Sequence, residues 1–301
     1  MKIAVTGGAG FLGSHVADAL SDAGHDVIIL DVTKSDYLRN DQSMVECSIL
    51  DFPKLVEVIA GCDAVYHFAA LADLDEAIGL PQKTIEINVI GTANVLEASR
   101  QAGIKRFVFA SSIYVYSNQG SFYRTSKQAG EHLVQDFNER YGLAYTILRF
   151  GSLYGPRANK SNSVFNLLSQ ALQFHKINYA GSGKEVREYI HVHDAAATSV
   201  DILDDEYKNG IAHLTGSERM TTGDMLEMIS EIMGGNIEVE VNQGEMTGHY
   251  VQTPYSYTPK IGRKLVRNSY IDLGLGLLDC LQHIDQKRLQ DETAILEDPT
   301  L

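Results

Sequence analysis

A chain of 301 residues, 44% hydrophobic and 21% charged, has the composition of an ordinary globular protein and the length for one large domain or two unequal ones. Its formal charge of −14 argues against nucleic acid or an anionic membrane surface as the main partner, but not against a small anionic ligand met by local cations or backbone N–H groups. Three widely spaced cysteines (Cys47, Cys62, Cys280) without a C-x-x-C pair predict a reducing compartment and no structural metal, and the strand-like opening "MKIAVTGG" with no membrane-length apolar run predicts the cytoplasm.

The first predicted strand, "KIAVTG" (2–7), runs into "VTGGAGFLGSHV" (5–16), which sets Gly7, Gly10 and Gly13 between that strand and a helix over 11–24. The G-x-x-G-x-x-G spacing allows a tight turn and lets backbone N–H groups meet a pyrophosphate at the helix N-terminus. Glycine at a tight β–α turn is common without any ligand, so the context has to decide. It does: the second strand, "DVIILD" (26–31), ends on Asp31. An acid there accepts hydrogen bonds from an adenosine ribose and repels a 2′-phosphate, which favours NAD over NADP.

Further along come a helix over 52–61, the strand "DAVYHFAA" (63–70), a helix over 84–103, the strand "RFVFASS" (106–112), a helix over 123–142 and the strand "AYTILRF" (144–150). The strands are continuous apolar runs, the pattern of strands buried on both faces, and several helices close on Gly. This alternation predicts an α/β fold, a Rossmann-like doubly wound parallel sheet forming an NAD-binding domain over 1–150. After residue 151 the rhythm changes. A loop (151–163) precedes a helix (164–173), a short strand feeds a helix over 187–203, and a helix (221–235) is followed by an exposed strand, "NIEVEVN" (236–242). Residues 151–301 are therefore expected to form a smaller, mainly substrate-binding C-terminal region, with 187–203 returning to the first domain and the acidic end "DETAILEDPTL" as a frayed tail.

"GSFYRTSKQAGE" (120–131) places Tyr123 and Lys127 on one face of the predicted helix. An ammonium near a phenol favours the phenolate, a usable proton acceptor. A chance Y-x-x-x-K is expected about once in a chain of this composition, so the neighbours of Tyr123 must settle its meaning.

Those neighbours resemble the extended short-chain dehydrogenase/reductases, in the branch of nucleotide-sugar epimerases and dehydratases. The resemblance rests on "TGGAGFLGSH", "HFAA" (67–70), "EINVIGTANVLEA" (86–98), "FASSIYVYS" (109–117), "YRTSK" (123–127), "LRFGSLYGPR" (148–157) and "REYIHVHDAA" (187–196), in the family's order and across nearly the whole chain. It implies Ser112 as the hydroxyl that hydrogen-bonds the reacting sugar oxygen, Tyr123 as the base and Lys127 as the ribose-binding residue that lowers the tyrosine pKa. For NAD it implies contacts from Gly7, Gly10, Phe11, Leu12, Gly13, Asp31, Ile49, Phe68, Ala69, Ala70, Ala110 and Phe150, with Asn88 bracing the loop beside them. Ser48 stands where the family often has an acid for the adenine amine. Ser152 replaces an Asn that touches substrate, and Arg187 matches an arginine that binds the substrate diphosphate. His191 and His193 look like a metal pair on spacing alone, but the family's strand-to-helix passage there makes Asp194 a helix cap and implies no metal.

The chain also departs from the family. The loop between Ser112 and Tyr123 is short, and the Asp-Glu pair of dehydratases and the Glu of decarboxylases are replaced by Ile113 and Tyr114. A second diphosphate arginine is missing near 244–260, where His249 and Tyr250 stand and Lys260 or Arg263 are the substitutes available. The expected activity is epimerisation of a nucleoside-diphosphate sugar, most simply at C4 through a transient 4-keto sugar. Its rivals are a one-way nucleotide-sugar oxidoreductase, such as a 4-keto reductase, and a non-catalytic NAD-binding scaffold, against which the Ser112, Tyr123, Lys127 set argues. The resemblance also implies a homodimer through a four-helix bundle, using the apolar positions Val89, Ala93, Leu96, Leu133, Val134 and Phe137.

Overall fold

Apolar runs become parallel strands here because helices cover both of their faces. The computed structural model describes residues 1–216, 218–242 and 249–254. Its first part alternates β1 (Lys2–Thr6), α1 (Phe11–Asp22), β2 (Asp26–Asp31), β3 (Gln42–Glu46), α2 (Phe52–Ile59) and β4 (Ala64–His67). Two short helices follow, α3 (Leu74–Gly79) and α4 (Pro81–Ile85), the second passing through a π turn (Glu86–Ile90) into α5 (Gly91–Gln101). Then come β5 (Arg106–Ser112), a 3-10 turn (Ile113–Tyr116), α6 (Ser121–Tyr141) and β6 (Tyr145–Phe150). The remainder comprises β7 (Ser152–Tyr154), α7 (Ser163–Phe174), β8 (Lys176–Ala180), β9 (Val186–His191) and α8 (Val192–Asp201). It closes with β10 (Gly210–Leu214), β11 (Glu218–Thr221), α9 (Thr222–Ile232) and β12 (Glu238–Asn242).

Seven strands form one sheet in the order β3-β2-β1-β4-β5-β6-β10, and every neighbouring pair is parallel. One face carries α1 and α8, whose Val16, Leu20, Ala195 and Ala196 share a core with Val5, Ile29, Tyr66 and Val108. The other face carries α2, α5 and α6, whose Leu55, Val95, Leu96 and Val134 pack with Ala4, Val65, Phe107 and Ile147. The strand order turns back between β1 and β4, which opens a crevice at the carboxyl ends of the strands. Over that edge lies a smaller layer: a three-stranded sheet β11-β9-β7 and a parallel pair β12-β8. A third core, with Leu167, Ala171, Ile177, Leu226 and Ile229, joins α7, β8 and α9.

Several elements differ from the sequence reading. The edge strands β3 ("QSMVE") and β10 ("GIAHL") join the large sheet although neither is a continuous apolar run, since an edge strand is held from one side only. The expected loop over 151–163 contains β7, three residues long and paired with β9. The strand half of 187–203 pairs with β7 and β11 and does not enter the large sheet, while the helical half, α8, lies against α1 in the main core. Asp194 does not cap α8. His191 is the cap, its side chain accepting from His193 N at 3.3 Å, and Asp194 sits in the first turn. Leu96 and Val134 are spent in the core and Leu133 and Phe137 pack against it, so the six apolar positions on the π turn, α5 and α6 are not free as a set; Ile90, Phe122 and Tyr141 are large apolar residues exposed on the same elements. The sequence positions Lys260, Arg263 and Cys280 lie outside the described residues.

Gly130 sets how closely α6 approaches the sheet: a Cβ there would come 2.4 Å from Cζ of Phe109, a ring only 1% exposed. Helix propensity alone favours alanine by about 1 kcal/mol, but forcing a methyl against a fixed ring costs about 1–3 kcal/mol. Gly130→Ala is expected to lower the urea midpoint. A raised midpoint would mean that Phe109 yields freely and that α6 is not held at this distance.

Candidate active site

The glycine turn after β1 is closed by contact with its own neighbours. Gly7 has φ +70°, and a Cβ there would lie 2.5 Å from Ala69 N; at Gly13 it would lie 2.2 Å from Gly7 O. Neither position has room for a side chain. Helix α1 starts immediately afterwards with no side-chain cap and no acid in its first turn, which leaves its leading N–H groups for an anion. Asp31, at the end of β2, accepts from Ala9 N at 3.0 Å and Val32 N at 2.7 Å, so its carboxylate ties the turn to the second strand. An uncapped helix start behind a glycine turn, with an acid one strand away, fits a dinucleotide.

A cleft of about 900 Å³ follows the carboxyl edge of the sheet. Asp31 lines it after β2, Ser48 and Ile49 after β3, Gly7 to Gly13 after β1, and Phe68 to Ala70 after β4. It continues past Ala110 and Ser112 at the end of β5, Tyr123 and Lys127 on α6, and Phe150 and Ser152 around the end of β6, to Arg187 on β9. Every residue that the sequence assigned to cofactor or substrate lines this space except Asn88. That side chain sits in the π turn, where it accepts from Leu71 N (2.7 Å) and donates to Leu71 O (3.0 Å) and Ser126 Oγ (2.9 Å). It therefore braces the loop beside the cleft and reaches no ligand itself.

Tyr123 and Ser112 line the cleft side by side, and the Ser112 side chain favours the ionised form of the phenol. Lys127, one helical turn on, donates Nζ to Ala110 O at 2.8 Å and lies 5.7 Å from the centre of the Tyr123 ring. Burial pushes Tyr123 up to about 12, with only the Ser112 side chain pulling the other way. Burial also lowers Lys127 to about 8, opposed by the negative charge of Glu131. Sequence reading missed this support: Glu131 accepts from Ser111 Oγ at 2.5 Å and pairs with Arg149 at 2.5 Å, all three side chains being largely buried. Lys127 and Glu131 are four apart on α6, a pairing that the sequence could have suggested.

The far end of the cleft is built from aromatic rings. Arg187 is 9% exposed, its guanidinium carbon lies 4.3 Å from the centre of the Tyr250 ring, and it makes no ion pair among the described residues. The nearby Glu185 is occupied by Ser182 and Tyr179. Tyr250 packs on Tyr114 at 4.5 Å between ring centres, and Tyr114 meets Tyr123 edge-on at 6.3 Å. His249 Nδ1 stands 3.2 Å from the Tyr114 hydroxyl, and Asp73, Asp75 and Glu76 around the start of α3 line the same space. The residues that stand where a second arginine was expected thus complete this wall. Among the described residues no three His, Cys, Asp or Glu side chains are grouped to hold a metal, and no helix is long and apolar enough to cross a membrane.

The sequence pattern of the NAD dependent epimerase/dehydratase family matches residues 3–212. A putative UDP-glucose 4-epimerase of Methanocaldococcus jannaschii is 30% identical over 253 residues, covering 77% of this chain and 82% of its own. A dTDP-glucose 4,6-dehydratase of Mycobacterium tuberculosis is also 30% identical, over 249 residues, covering 72% of this chain and 73% of its own. Among solved structures, the UDP-glucose 4-epimerase of Thermotoga maritima with UDP-glucose superposes with a TM-score of 0.79 at 26% identity, covering 86% of this chain and 90% of its own. That of Thermus thermophilus with NAD gives 0.77 at 27% identity, covering 87% and 95%. With a matching pattern over most of its length, the same fold and relatives at this distance, the chain belongs to the NAD dependent epimerase/dehydratase family.

Proposed function

We propose that this protein is an NAD-dependent nucleoside-diphosphate-sugar epimerase that inverts C4 through a transient 4-keto sugar. One observation carries the reading: Ser112 and Tyr123 line the cleft together over a buried Lys127, while the two positions after Ser112 hold Ile113 and Tyr114 and no carboxylate. A site with one hydroxyl-facing base and no carboxylate directly after the serine suits oxidation and re-reduction of one carbon better than loss of water. Relatives named as UDP-glucose 4-epimerases support the same substrate class.

In this reading the glycine turn, the start of α1 and Asp31 hold NAD, which supplies the hydride acceptor and, when oxidised, a positive charge. Ser112 and Tyr123 grip the C4 hydroxyl. Tyr123 takes its proton as hydride leaves the same carbon, and gives it back when hydride returns to the other face. A phenol near 12 in the free chain is a poor acceptor at neutral pH, so the Lys127 ammonium and the cofactor charge have to lower it together. Between the two hydride transfers the ketone must turn over. The aromatic side chains Tyr189 and Tyr250 suit that step, since rings enclose a sugar without fixing one face by many directional bonds.

Three measurements test this. Purified protein is expected to carry NAD in native mass spectrometry and to invert C4 of a UDP- or dTDP-sugar, read by NMR, without added cofactor. Tyr123→Phe should keep the cofactor and lose about 10²–10⁴ in turnover; near-normal turnover would remove Tyr123 as the base. A release-and-rebind requirement for cofactor in every turnover would favour a one-way oxidoreductase.

Arg187 is proposed to clamp the diphosphate. Arg187→Ala should weaken UDP or dTDP binding by about 1.5–3 kcal/mol in calorimetry, and Arg187→Lys should recover only part because a point charge lacks the guanidinium fork. Equal binding by wild type and Arg187→Ala would reject that role.

Lys127 yields a pH prediction. Its folded pKa near 8 lies below the ordinary lysine value, so the folded chain binds fewer protons between those values and gains stability as pH rises through that window. The corresponding cost at pH 7 is roughly 3 kcal/mol. Cofactor-free Lys127→Met should therefore be the more stable chain in urea at pH 7, with the gap closing by about pH 10, and should be inactive. A variant less stable than wild type at pH 7 would show that the pairing around Lys127 outweighs its burial.

A further inference from the structure

We infer that Arg124 and Gln128, the residues directly after Tyr123 and Lys127 on α6, are positioning residues: they hold the turn that follows Ser112 so that the serine hydroxyl faces the cleft beside Tyr123. The inference rests on the reading above, in which Ser112 and Tyr123 meet the C4 hydroxyl.

The connection from β5 to α6 is only Ile113 to Gly120, and it has to bring the chain back sharply enough to seat Tyr123 near Ser112. The return is made in the left-handed region, by Gly120 at φ +93° and Ser121 at φ +44°. Ser121 carries a side chain, and such residues rarely adopt that conformation; it persists only where the surroundings fix it. The turn has no slack to relax into. A Cβ at Gly120 would lie 2.7 Å from Cδ1 of the Tyr114 ring and 3.0 Å from Cβ of Arg124.

Two side chains from α6 supply the fixing. Gln128 donates Nε2 to Val115 O at 2.8 Å, and Arg124 donates Nη1 to Ser117 O at 3.2 Å. Neither side chain lines the cleft, but the turn they hold reaches into it. Tyr114 N, inside the turn, donates to Ser112 Oγ at 3.3 Å. That bond occupies one lone pair of the hydroxyl and sets its direction, which leaves the O–H and the second lone pair for the phenol and the sugar. The Ser112 side chain in turn favours the ionised form of Tyr123. A turn that drifts from α6 carries Tyr114 N away, frees Ser112 to rotate and leaves Tyr123 harder to ionise. Because Arg124 and Gln128 sit one residue past Tyr123 and Lys127, any shift of the helix is passed to the turn, and the serine, tyrosine and lysine keep one relative placement. The competing view is that Tyr116 alone secures the turn, since Arg149 donates to its hydroxyl and His213 Nε2 lies 3.0 Å from it.

The test uses NAD-loaded protein, in which the cofactor charge brings Tyr123 ionisation within reach, and two readouts. Ultraviolet difference titration of each protein against the same protein carrying Tyr123→Phe isolates the ionisation of Tyr123 and needs no substrate. NMR reads C4 inversion of UDP-glucose and dTDP-glucose. Gln128→Met, which removes the donor without changing charge, is expected to move the Tyr123 midpoint upward by about one pH unit and to lower kcat by about tenfold or more at unchanged KM. Arg124→Met should do the same, and retained NAD certifies both as folded. In a Ser112→Ala background neither substitution should move the midpoint further, because the effect runs through that hydroxyl. An unchanged midpoint in both variants overturns the inference. So does a shift that survives undiminished in Ser112→Ala, or one produced by Tyr116→Phe and not by Gln128→Met. Failure of wild type to invert either sugar overturns the C4 reading alone, since the titration still decides what Arg124 and Gln128 do.

Discussion

A buried ammonium is the constraint around which the cleft is organised. Lys127 is 5% exposed, and a charge taken out of water costs several kcal/mol unless its surroundings answer it. The Ala110 carbonyl, the face of Phe109 at 5.2 Å and the carboxylate of Glu131 supply that answer. Glu131 is in turn fixed by Ser111 from β5 and Arg149 from β6. Because its partners come from two strands and it shares α6 with Tyr123 and Lys127, the same network that tolerates the charge also sets the helix against the sheet. The position of Tyr123 relative to Ser112 follows from that placement.

The opposite end of the cleft is held by backbone and not by charge. Gly7 and Gly13 leave no room for side chains, and Asp31 draws Ala9 N toward β2, so the turn has one available shape. Asn88 performs the matching task one strand away, gripping both backbone groups of Leu71 and reaching across to Ser126 on α6. Through that one amide the loop after β4 is coupled to the helix that carries the catalytic candidates. A substitution at Asn88 would be felt at the cleft although its side chain lines no part of it.

What could be read from the sequence follows from how local each signal is. β1, β2, β4, β5 and β6 announce themselves as unbroken apolar runs because helices bury both faces, and Gly7, Asp31, Ser112, Tyr123 and Lys127 lie in contiguous motifs. The edge strands β3 and β10 carry polar residues on exposed positions, and β7 is too short to show a period. Glu131 was within reach, four residues beyond Lys127, but its pairing with Arg149 depends on which strands become neighbours. The contact between Tyr114 and His249 joins residues 135 apart in sequence, with nothing local in either to signal it. Ile113 and Tyr114 read in isolation imply that no proton chemistry accompanies the hydride step.

The acidity of the chain gives Arg187 its particular surroundings. With a net charge of −14, an anionic substrate approaches against the overall field and depends on a local cation whose charge is not already neutralised. A carboxylate partner would hold a guanidinium rigidly but cancel the charge that the ligand needs. Tyr250 supplies the alternative: a ring face 4.3 Å from the guanidinium carbon orients it without cancelling its charge, at a cation–π strength of about 0.5–2 kcal/mol, while one Nη donates to Val186 O at 3.5 Å. The nearest acid in sequence on the N-terminal side, Glu185, is kept away by three donors, the Ser182 backbone and hydroxyl and the Tyr179 hydroxyl, which also hold its pKa down to about 2. The tyrosines around this end thus have a common physical purpose. They fill the space with groups that neither neutralise Arg187 nor add negative charge, so that its guanidinium faces the cleft as a cation.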